Sequence, residues 1–294
     1  MSKPTIGFIG LGLMGRAMCD HMMDQGYNLV IMANRSREAI DAAVARGATE
    51  VSTPKEIAER SDIVMLCVDT SQSVEGRMYG DEGVIAGLSE GKVVIDFGTS
   101  LPSSTTKIGA DVAAVGASYL DSPIGRTPSH ARDGLLNLMC SGEREGFEKA
   151  EEILKVLGEN VFYLGDLGSG HTIKLINNFF GMTVANAMAE AFAMADKMGV
   201  ERQQLYDVMS AGPLHSGMMD FVKAYAVDSD PSMLAFAIKN AAKDVGYYAQ
   251  MSKDAGADSI MSQSTLKALK SATDDGSGDD MVSQMYDYYK KALG

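Results

Sequence analysis

The first half of the chain alternates short apolar runs with stretches of helical periodicity, and this alternation strongly constrains the fold. Apolar runs occur at TIGFIG (5–10), YNLVIMA (27–33), DIVMLC (62–67) and KVVIDF (92–97), each followed by a helical stretch. Continuous apolar runs between helices are typical of strands that are covered on both faces. Because strand–helix alternation leads to right-handed crossovers and a parallel sheet, we predict a doubly wound α/β fold.

The pattern changes after Gly165. Three more apolar runs before it, at 117–123, 135–142 and 160–165, extend the predicted sheet to seven or eight strands. Residues 171–198 read as one long helix that is apolar on most sides, and such a helix is expected between domains or inside an oligomer. We predict two domains, 1–165 with the sheet and 166–294 all-helical, joined by this long helix. Further helices are expected at about 201–210, 215–226, 231–255, 261–274 and 278–292, with a solvated loop at 273–280.

Composition and charge exclude several classes of function. The net charge of −13 is spread over both halves and repels phosphate backbones and anionic lipid, so we expect neither nucleic acid nor a membrane as partner. A hydrophobic content of 46% is normal for a globular chain and excludes a disordered one. No apolar stretch approaches the ~18 residues of a spanning helix. The chain begins MSKPTIGFIG and enters a strand directly, so we expect no secretory signal and a cytoplasmic location.

The cysteines and histidines do not have the spacing of a metal site. Cys19, Cys67 and Cys140 each lie in an apolar run, and we interpret them as buried structural thiols in a reducing compartment. We predict no metal site, because the four histidines are scattered at positions 21, 130, 171 and 215.

A glycine-rich motif, Gly10-Leu11-Gly12-Leu13-Met14-Gly15, follows the first predicted strand and opens the first helix. This is the context that a dinucleotide-binding loop requires. Gly10 permits a tight turn, Gly12 lets the backbone approach a pyrophosphate, and Gly15 lets the helix pack closely on the strand. The helix N-terminus then offers free N–H groups and a positive dipole end to the anion. The motif predicts a Rossmann-type dinucleotide site, the alternative being a structural glycine turn.

The residues after the second predicted strand bear on the choice of dinucleotide. NAD(H) binding favours Asp or Glu there, whereas this chain has Asn34-Arg35-Ser36-Arg37. Arg35 can pair with a 2′-phosphate and stack on adenine, and Ser36 can donate to the same phosphate. We therefore predict NADP(H) over NAD(H), the alternative being that both arginines are ordinary solvated charges.

Taken together, four motifs in this order and spacing resemble the β-hydroxyacid dehydrogenase family over nearly the whole chain. They are IGFIGLGLMGRAM near the N-terminus, DSPIGRT (121–127), KLINN (174–178) and Lys243-Asp244. The resemblance implies an NAD(P)-dependent oxidoreductase of small hydroxy acids or aldehydes that assembles as a homodimer or homotetramer through its helical domain. It also implies that Thr99 and the turn at Val68-Asp69 lie beside the cofactor, the alternative being that they are plain turn residues.

Lys174, Asn177 and Asn178 stand at i, i+3 and i+4 of one predicted helix and therefore on one face. A lone lysine in such a helix is more often extended to solvent. The resemblance instead implies that Lys174 donates a proton to the substrate carbonyl, that Asn178 orients the substrate beside Asn177, and that Lys243 lies near the cofactor.

The chain departs from the family at Gly125-Arg126-Thr127, where most members have Ser-Gly-Gly. A guanidinium there favours a strongly anionic head group with several oxygens. The change resembles the branch that reduces 3-sulfolactaldehyde, and this is the leading hypothesis for the substrate. That branch favours NADH, however, and has an acidic residue where this chain has Asn34-Arg35. The alternative substrate is a carboxylate semialdehyde of the 3-hydroxyisobutyrate, tartronate or succinate type. A third hypothesis, a cofactor-binding interaction module without activity, is disfavoured because such relatives typically lack the lysine found at 174.

Overall fold

The computed structural model describes residues 3–33 and 37–294. The chain forms two compact units, Met1–Lys174 and Leu175–Gly294. This division by contacts lies between residues 174 and 175, whereas the sequence places its boundary, which stays a prediction, between residues 165 and 166. The physical reason is that the first turn of the long helix is hydrogen-bonded to the sheet unit, through the backbone N–H of Gly170 to Ser141 Oγ at 2.9 Å and of His171 to Asp121 Oδ2 at 2.6 Å.

The first unit is built on a nine-stranded sheet in the order β3-β2-β1-β4-β5-β6-β8-β7, with β9 paired to β8. Strands β1 to β6 are all parallel, which confirms the predicted doubly wound fold. The strands are β1 Ile6–Ile9, β2 Leu29–Met32, β3 Thr49–Val51, β4 Ile63–Leu66, β5 Val93–Asp96, β6 Ser118–Asp121, β7 Ile124–Gly125, β8 Leu136–Gly142 and β9 Gly158–Tyr163. The helices of this unit are α1 Leu13–Asp24, α2 Glu38–Ala45, α3 Pro54–Arg60, α4 Ser71–Met78, α5 Val84–Gly87, α6 Pro102–Ala113, α7 Pro128–Arg132 and α8 Arg144–Leu157.

Two features of the sheet differ from the sequence prediction. The strand count of seven or eight is too low, because β3 has three residues, two of them exposed, and β7 has two residues, so neither produces an apolar run. The sheet is also not entirely parallel, since β8 runs antiparallel to β6 and β7. The segment between β6 and β8 contains the two-residue strand β7 and one short helix, the five-residue α7, and an antiparallel return needs no full crossover helix.

Each central strand buries side chains on both faces of the sheet. In β4, Ile63 and Met65 pack into one core cluster, whereas Val64 and Leu66 pack into another. The alternation has a period of two residues, as strand geometry requires. Both clusters are apolar, which explains why these strands appear in the sequence as continuous apolar runs.

The second unit is helical. Its core is a single cluster that includes Met182, Phe192, Val245 and Leu269. The helix α9, Ser169–Lys197, has 29 residues and spans the division between the units. The helices that follow are α10 Arg202–Ser210, α11 Gly217–Ala226, α12 Ile238–Asp254, α13 Ile260–Ala272 and α14 Met285–Leu293, with a π-helical turn at Thr273–Ser277 and a 3₁₀ turn at Val282–Gln284.

Two predicted helices begin later than expected. Helix α12 starts at Ile238 instead of residue 231, and α14 starts at Met285 instead of residue 278. The residues before each helix pair with one another, since Ala237 and Met281 form an antiparallel bridge and Val282 N–H donates to the carbonyl of Phe236 at 2.9 Å. The backbone N–H and C=O groups of these segments therefore find hydrogen-bond partners without forming a helix. Within residues 3–33 and 37–294, no helix has both the length and the apolar character needed to cross a membrane.

Candidate active site

The glycine-rich loop between β1 and α1 is shaped by contacts that side chains would prevent. Gly10 has φ +105°, and a Cβ at this residue would lie 2.3 Å from the carbonyl oxygen of Cys67. A Cβ at Gly15 would lie 2.0 Å from the carbonyl oxygen of Gly10. A Cβ at Gly12, by contrast, would meet no protein atom within 4 Å. The loop therefore needs Gly10 and Gly15 for its own packing, whereas Gly12 faces open space.

A cavity of about 470 Å³ adjoins this loop at the carboxyl ends of β1 and β4. The strand order reverses between these two strands, and such a switch point is where open α/β sheets bind ligands. The cavity is lined by Gly10, Gly12, Val68, Asp69, Ser73 and Arg77, among others. The uncovered backbone at Gly12 and the N-terminus of α1 fit the pyrophosphate of a dinucleotide.

Not every residue of the loop faces the cavity with its side chain. Leu13 is the first residue of α1 and is 85% exposed, whereas Met14 packs against the core of the sheet unit. Both can serve an anion through backbone N–H groups at the start of the helix.

Two residues that line the cavity, Ser73 and Arg77, were not identified from the sequence. They lie on α4, which starts two residues after Asp69. Ser73 Oγ donates to Asp69 Oδ1 at 2.7 Å.

The predicted 2′-phosphate residues, Asn34, Arg35 and Ser36, lie outside the described residues. The next arginine, Arg37, is paired with Asp41 at 2.8 Å and with Glu50 at 2.6 Å. These two carboxylates raise the pKa of Arg37 above its ordinary value, chiefly through the hydrogen bond to Glu50. Arg37 is therefore engaged in surface ion pairs, and the predicted preference for NADP(H) rests on Asn34, Arg35 and Ser36.

Thr99 follows β5, next to β4 in the sheet, in a turn organised by Asp96. Asp96 is fully buried and accepts hydrogen bonds from the backbone N–H of Gly98 at 2.8 Å and from Ser100 Oγ at 2.9 Å.

Cys67 lines the cavity. Burial of its thiol, and to a smaller extent the charge of Asp96, raise the pKa of Cys67 to about 12. The thiol beside the cavity is therefore protonated at neutral pH and is not a nucleophile.

Asp121, at the end of β6, holds the first turn of α9. Its Oδ1 accepts from the backbone N–H of Gly168 at 2.8 Å, and its Oδ2 accepts from that of His171 at 2.6 Å. The buried hydroxyl of Ser141 donates to the same carboxylate. One carboxylate thereby accepts hydrogen bonds from two backbone N–H groups that would otherwise lack a partner at the start of the helix. The carboxylate at the start of the DSPIGRT motif thus fixes the helix that carries Lys174.

His171 is fully buried one turn before Lys174, and sequence reasoning did not assign it to the site. Its Nδ1 lies 2.7 Å from Thr105 Oγ1 and 3.7 Å from Asp121 Oδ2, and its Nε2 lies 3.7 Å from Asp96 Oδ2. The imidazole therefore joins α9 to the ends of β5 and β6. The proximity could not be read from the sequence, since Thr105 and His171 are 66 residues apart.

Lys174 lies beside the segment predicted to hold the substrate. Its Nζ donates to the backbone carbonyl of Ile124 at 2.7 Å, and Ile124 directly precedes Gly125. Gly125 pairs with Asn137 in β8, and a Cβ at Gly125 would lie 3.3 Å from the Cβ of Asn137. Thr127 precedes α7, and its hydroxyl lies 2.7 Å from His130 Nδ1. The predicted proton donor and substrate loop thus lie together within the first unit.

Arg126 has an unusual backbone. It is one of two non-glycine residues with positive φ among those that the structure describes, with φ +79°. This left-handed conformation costs most residues about 1 kcal/mol or more, whereas glycine adopts it freely. Its guanidinium donates from Nη1 to the carbonyl of Leu135 at 2.7 Å and lies 2.5 Å from Glu159 Oε2. Arg126 is therefore held by a strained loop and by a carboxylate on β9.

The second unit carries a connected polar group on α9 and α12. Asn178 is 8% exposed, and its Nδ2 donates to Asp244 Oδ2 at 2.7 Å. The Nδ2 of Asn177 donates to Asn178 Oδ1 at 3.3 Å, and Lys243 Nζ lies 3.0 Å from Asp244 Oδ1. Asp244, which was noted in the sequence only as part of a motif, fixes the amide of Asn178 and pairs with Lys243.

Comparison with known families gives a match to both parts of the chain. Residues 5–165 match the family described as the NAD binding domain of 6-phosphogluconate dehydrogenase. Residues 168–289 match the family described as NAD-binding of NADP-dependent 3-hydroxyisobutyrate dehydrogenase.

Individual relatives agree with these matches. The chain is 33% identical to the 3-sulfolactaldehyde reductase of Escherichia coli strain K12, over 82% of this chain and 81% of that protein. It is 31% identical to an uncharacterized oxidoreductase of Bacillus subtilis strain 168, over 83% of this chain and 84% of that protein. A solved structure of the 3-hydroxyisobutyrate dehydrogenase of Mycobacterium tuberculosis with L-serine shares the fold, with a TM-score of 0.84 at 23% identity over 98% of this chain and 99% of the other. The chain is thus an NAD(P)-binding oxidoreductase and belongs to the β-hydroxyacid dehydrogenase family.

Proposed function

We propose that this protein is an NADPH-preferring reductase of a small anionic aldehyde, with 3-sulfolactaldehyde as the leading substrate and 2,3-dihydroxypropane-1-sulfonate as the product. The observation that carries this proposal is the hydrogen bond from Lys174 Nζ to the carbonyl of Ile124, because it puts an ammonium group beside the loop that carries Arg126. A proton donor and a cation near one loop suit a substrate with a reducible carbonyl at one end and an anion at the other.

In the reaction we propose, Lys174 protonates the substrate's carbonyl oxygen as the carbonyl carbon is reduced. The carbonyl of Ile124 orients the ammonium group, and a preorganised donor near a developing alkoxide lowers the barrier. Asp121 and His171 hold the first turn of α9 and thereby restrict the position of Lys174. Positioning of this kind can contribute several kcal/mol to catalysis.

Asn178 has the role of orienting the substrate. Its amide nitrogen is occupied by Asp244, and this hydrogen bond prevents the amide from rotating. Lys243 balances the charge of the buried Asp244 carboxylate, which is 3% exposed. A buried carboxylate with two partners costs less to keep charged than an isolated one.

The cavity at the glycine loop is the proposed cofactor site. Gly10, Gly12 and Gly15 with the N-terminus of α1 would hold the pyrophosphate. Val68 and Asp69, which line the cavity, and Thr99, which follows β5, would lie along the path to the nicotinamide. Asn34, Arg35 and Ser36 would hold the 2′-phosphate. Bound NADPH supplies the hydride.

The head group of the substrate is assigned to Gly125, Arg126 and Thr127. A sulfonate has three oxygens and suits the several donors of a guanidinium and of the neighbouring backbone. The 33% identity to a 3-sulfolactaldehyde reductase supports this choice. The second candidate is a carboxylate semialdehyde of the 3-hydroxyisobutyrate, tartronate or succinate type, which is favoured by relatives such as a glyoxylate/succinic semialdehyde reductase of Arabidopsis thaliana at 27% identity.

A panel of aldehydes tests the proposal. Oxidation of NADPH, and of NADH in parallel, is followed with 3-sulfolactaldehyde, tartronate semialdehyde, methylmalonate semialdehyde and succinate semialdehyde. We expect the highest kcat/KM with 3-sulfolactaldehyde and NADPH, and a loss of the preference for the sulfonate in Arg126→Ser. The surface variant Lys149→Ser, whose lysine pairs with Glu145, serves as control. Equal or faster turnover of a carboxylate would refute the leading substrate, and equal kcat/KM with NADH would refute the cofactor preference.

We further propose that the protein is a homodimer or homotetramer. One face of α9, away from Lys174 and Asn178, is apolar from Ile173 to Met194. Several of its large side chains are exposed, including Ile176 at 48% and Phe180 at 69%. A continuous exposed apolar stripe marks a protein interaction surface. The stripe consists of Ile173, Ile176, Phe180, Val184, Ala187, Ala191 and Met194.

A further inference from the structure

The ion pair between Arg126 and Glu159 depends on an irregularity in the sheet. In the pairing of β8 with β9, Leu136 is opposite Gly158 and Asn137 is opposite Asn160, so that Glu159 is the extra residue of a β-bulge. A bulge redirects the side chain of its extra residue, and bulges are frequent next to active sites. Here the redirected carboxylate reaches the guanidinium of Arg126, with Oε2 2.5 Å from Nη1.

The position of Arg126 in the loop is restricted on both sides. Gly125 is hydrogen-bonded into the sheet opposite Asn137, and Thr127 begins the turn into α7. Between them the backbone of Arg126 is in the left-handed region, at φ +79°. The same Nη1 that lies beside Glu159 also donates to the carbonyl of Leu135 at 2.7 Å. Both of these contacts involve the same guanidinium nitrogen, and the carboxylate of Glu159 is the immediate neighbour of the guanidinium.

This pairing changes the net charge that an incoming head group meets. Arg126 alone would present one positive charge, whereas Arg126 with Glu159 presents a neutral pair. A singly charged head group can still bind the remaining donors of the guanidinium, since charge-assisted hydrogen bonds to a planar fork are strong. A doubly charged head group gains less from a neutral pair and is repelled by the nearby carboxylate. Specificity often depends on such a repulsive element.

We propose that Glu159 is a specificity-determining residue that makes the Arg126 loop accept singly charged head groups, such as sulfonate or carboxylate, and reject the doubly charged phosphate monoester. This inference rests on the proposed function, because it takes Arg126 to bind the head group. Glu159 acts on selectivity through its contact with Arg126 and does not touch the reacting atoms. Phosphate monoesters have a second pKa near 6 and are mostly doubly charged at pH 7.5, whereas a sulfonate carries one charge.

The test compares two three-carbon aldehydes that differ in the head group, 3-sulfolactaldehyde and glyceraldehyde 3-phosphate. The ratio of kcat/KM for the phosphate to that for the sulfonate is measured at pH 7.5 in the wild type and in Glu159→Gln, with Glu159→Ser as a second variant. We expect the ratio to rise about tenfold or more in both variants, through a lower KM for the phosphate, because one repulsive charge has been removed. The kcat for the sulfonate should stay within about twofold of the wild type, since Lys174 is unchanged.

The matched control is Glu151→Gln, which removes the same charge from α8, the helix that leads into β9. Glu151 is likewise an ion-paired glutamate, 2.9 Å from Lys155 Nζ. The control should leave the ratio unchanged, so that an effect of net charge alone is separated from an effect at Arg126.

Failure of the inference and failure of the proposed function give different results. If the wild type reduces the sulfonate and the ratio in Glu159→Gln equals that of Glu151→Gln, the role of Glu159 is refuted while the proposed function stands. The role of Glu159 is also refuted if Glu159→Gln raises the KM for the sulfonate and leaves the ratio unchanged. If the wild type reduces no anionic aldehyde, the proposed function fails first and the inference fails with it.

Discussion

At the scale of single residues, the backbone of Arg126 combines a conformational cost with a chemical role. Its φ of +79° lies in the region that glycine adopts without steric penalty. The arginine thus adds a guanidinium to a loop conformation that glycine would adopt more easily. The ion pair to Glu159 is partly exposed, with 29% and 51% of the two side chains accessible, and exposed pairs contribute only about 0–1 kcal/mol.

This strain leads to a prediction about stability. Arg126→Ala and Arg126→Gly both remove the ion pair, but only glycine relieves the left-handed backbone. We expect Arg126→Gly to be more stable than Arg126→Ala by about 1 kcal/mol, measured by urea unfolding. The same pair of substitutions at Arg132, which lies within α7, should give the opposite order, since glycine disfavours a helix. Equal stabilities of the two Arg126 variants would show that the loop relaxes.

Lys174 is the residue on which the proposed chemistry depends. We expect Lys174→Ala to lower kcat by about 10²–10⁴ because general acid catalysis is lost. Binding of NADPH should persist, since the glycine loop on α1 is unaltered, and it can be measured by fluorescence titration. Lys149→Ala on α8 is the control for removing a surface lysine. Retained turnover in Lys174→Ala would exclude this lysine as the proton donor.

At the scale of elements, the loop between β1 and α1 separates two uses of glycine. Gly15 is needed for packing, because a Cβ there would be 2.0 Å from the carbonyl of Gly10, whereas a Cβ at Gly12 would be free of protein contacts. We therefore expect Gly15→Ala to lower both thermal stability and cofactor affinity.

Gly12→Ala should behave differently. We expect an unchanged melting temperature together with cofactor affinity reduced about tenfold or more, because the methyl group occupies the space left for the pyrophosphate. Thermal unfolding and NADPH titration of the same samples check this. Gly217→Ala at the start of α11, where a Cβ also meets nothing within 4 Å and which does not line the cavity, shows the background effect of an added methyl group. Undiminished affinity in Gly12→Ala would place the pyrophosphate elsewhere.

At the scale of the whole molecule, buried thiols link stability to alkaline pH. Burial, with a smaller effect of Asp121, raises the pKa of Cys140 from 9.0 to about 12, and burial and Asp96 raise that of Cys67 equally far. The unfolded chain therefore releases these protons first. The stability that the protonated thiols provide is fully present below about pH 9 and is lost as the pH rises toward 12.

We accordingly expect the melting temperature to fall between pH 8.5 and pH 10, with a shallower fall in Cys140→Ala. The upper end of this window reaches the ordinary tyrosine pKa of 10.0, so the phenols of Tyr79 and Tyr289, whose pKa values are raised, add to the fall in both proteins. The difference in slope between wild type and Cys140→Ala isolates the thiol. Differential scanning calorimetry across the window gives the slopes. Identical slopes for wild type and variant would mean that Cys140 becomes accessible to base before unfolding.

The apolar stripe of α9 predicts how chains associate. Phe180→Asp should shift the proposed dimer or tetramer toward monomer, because a charge would be buried in an apolar interface. Size-exclusion chromatography with light scattering measures the mass, and Val44→Asp, a substitution of an exposed apolar residue on α2, is the control. A monomeric wild type would refute the proposed assembly, and an oligomeric Phe180→Asp would place the interface on another surface.

The parts of the site that depend on neighbours in sequence were predictable. The glycine spacing from Gly10 to Gly15 and the helical spacing of Lys174, Asn177 and Asn178 are local patterns with fixed geometry. The partners of these residues were not predictable. Asp244 is 66 positions from Asn178, and Glu159 is 33 positions from Arg126, so no local period connects them. Arg126 was expected to be available to a substrate anion, and the structure adds a carboxylate beside it.

The amino-acid sequence by itself determined the doubly wound sheet, the dinucleotide loop, the helical second half and the face of α9 that carries Lys174. These follow from periodicities of two and 3.6 residues and from the backbone freedom of glycine, which act over short stretches of chain. Only the tertiary structure decided that β8 runs antiparallel, that Asp121 anchors α9 and that a bulge turns Glu159 toward Arg126. Those features depend on strand register and on contacts between distant residues, and a shift of one position in register changes which side chains meet.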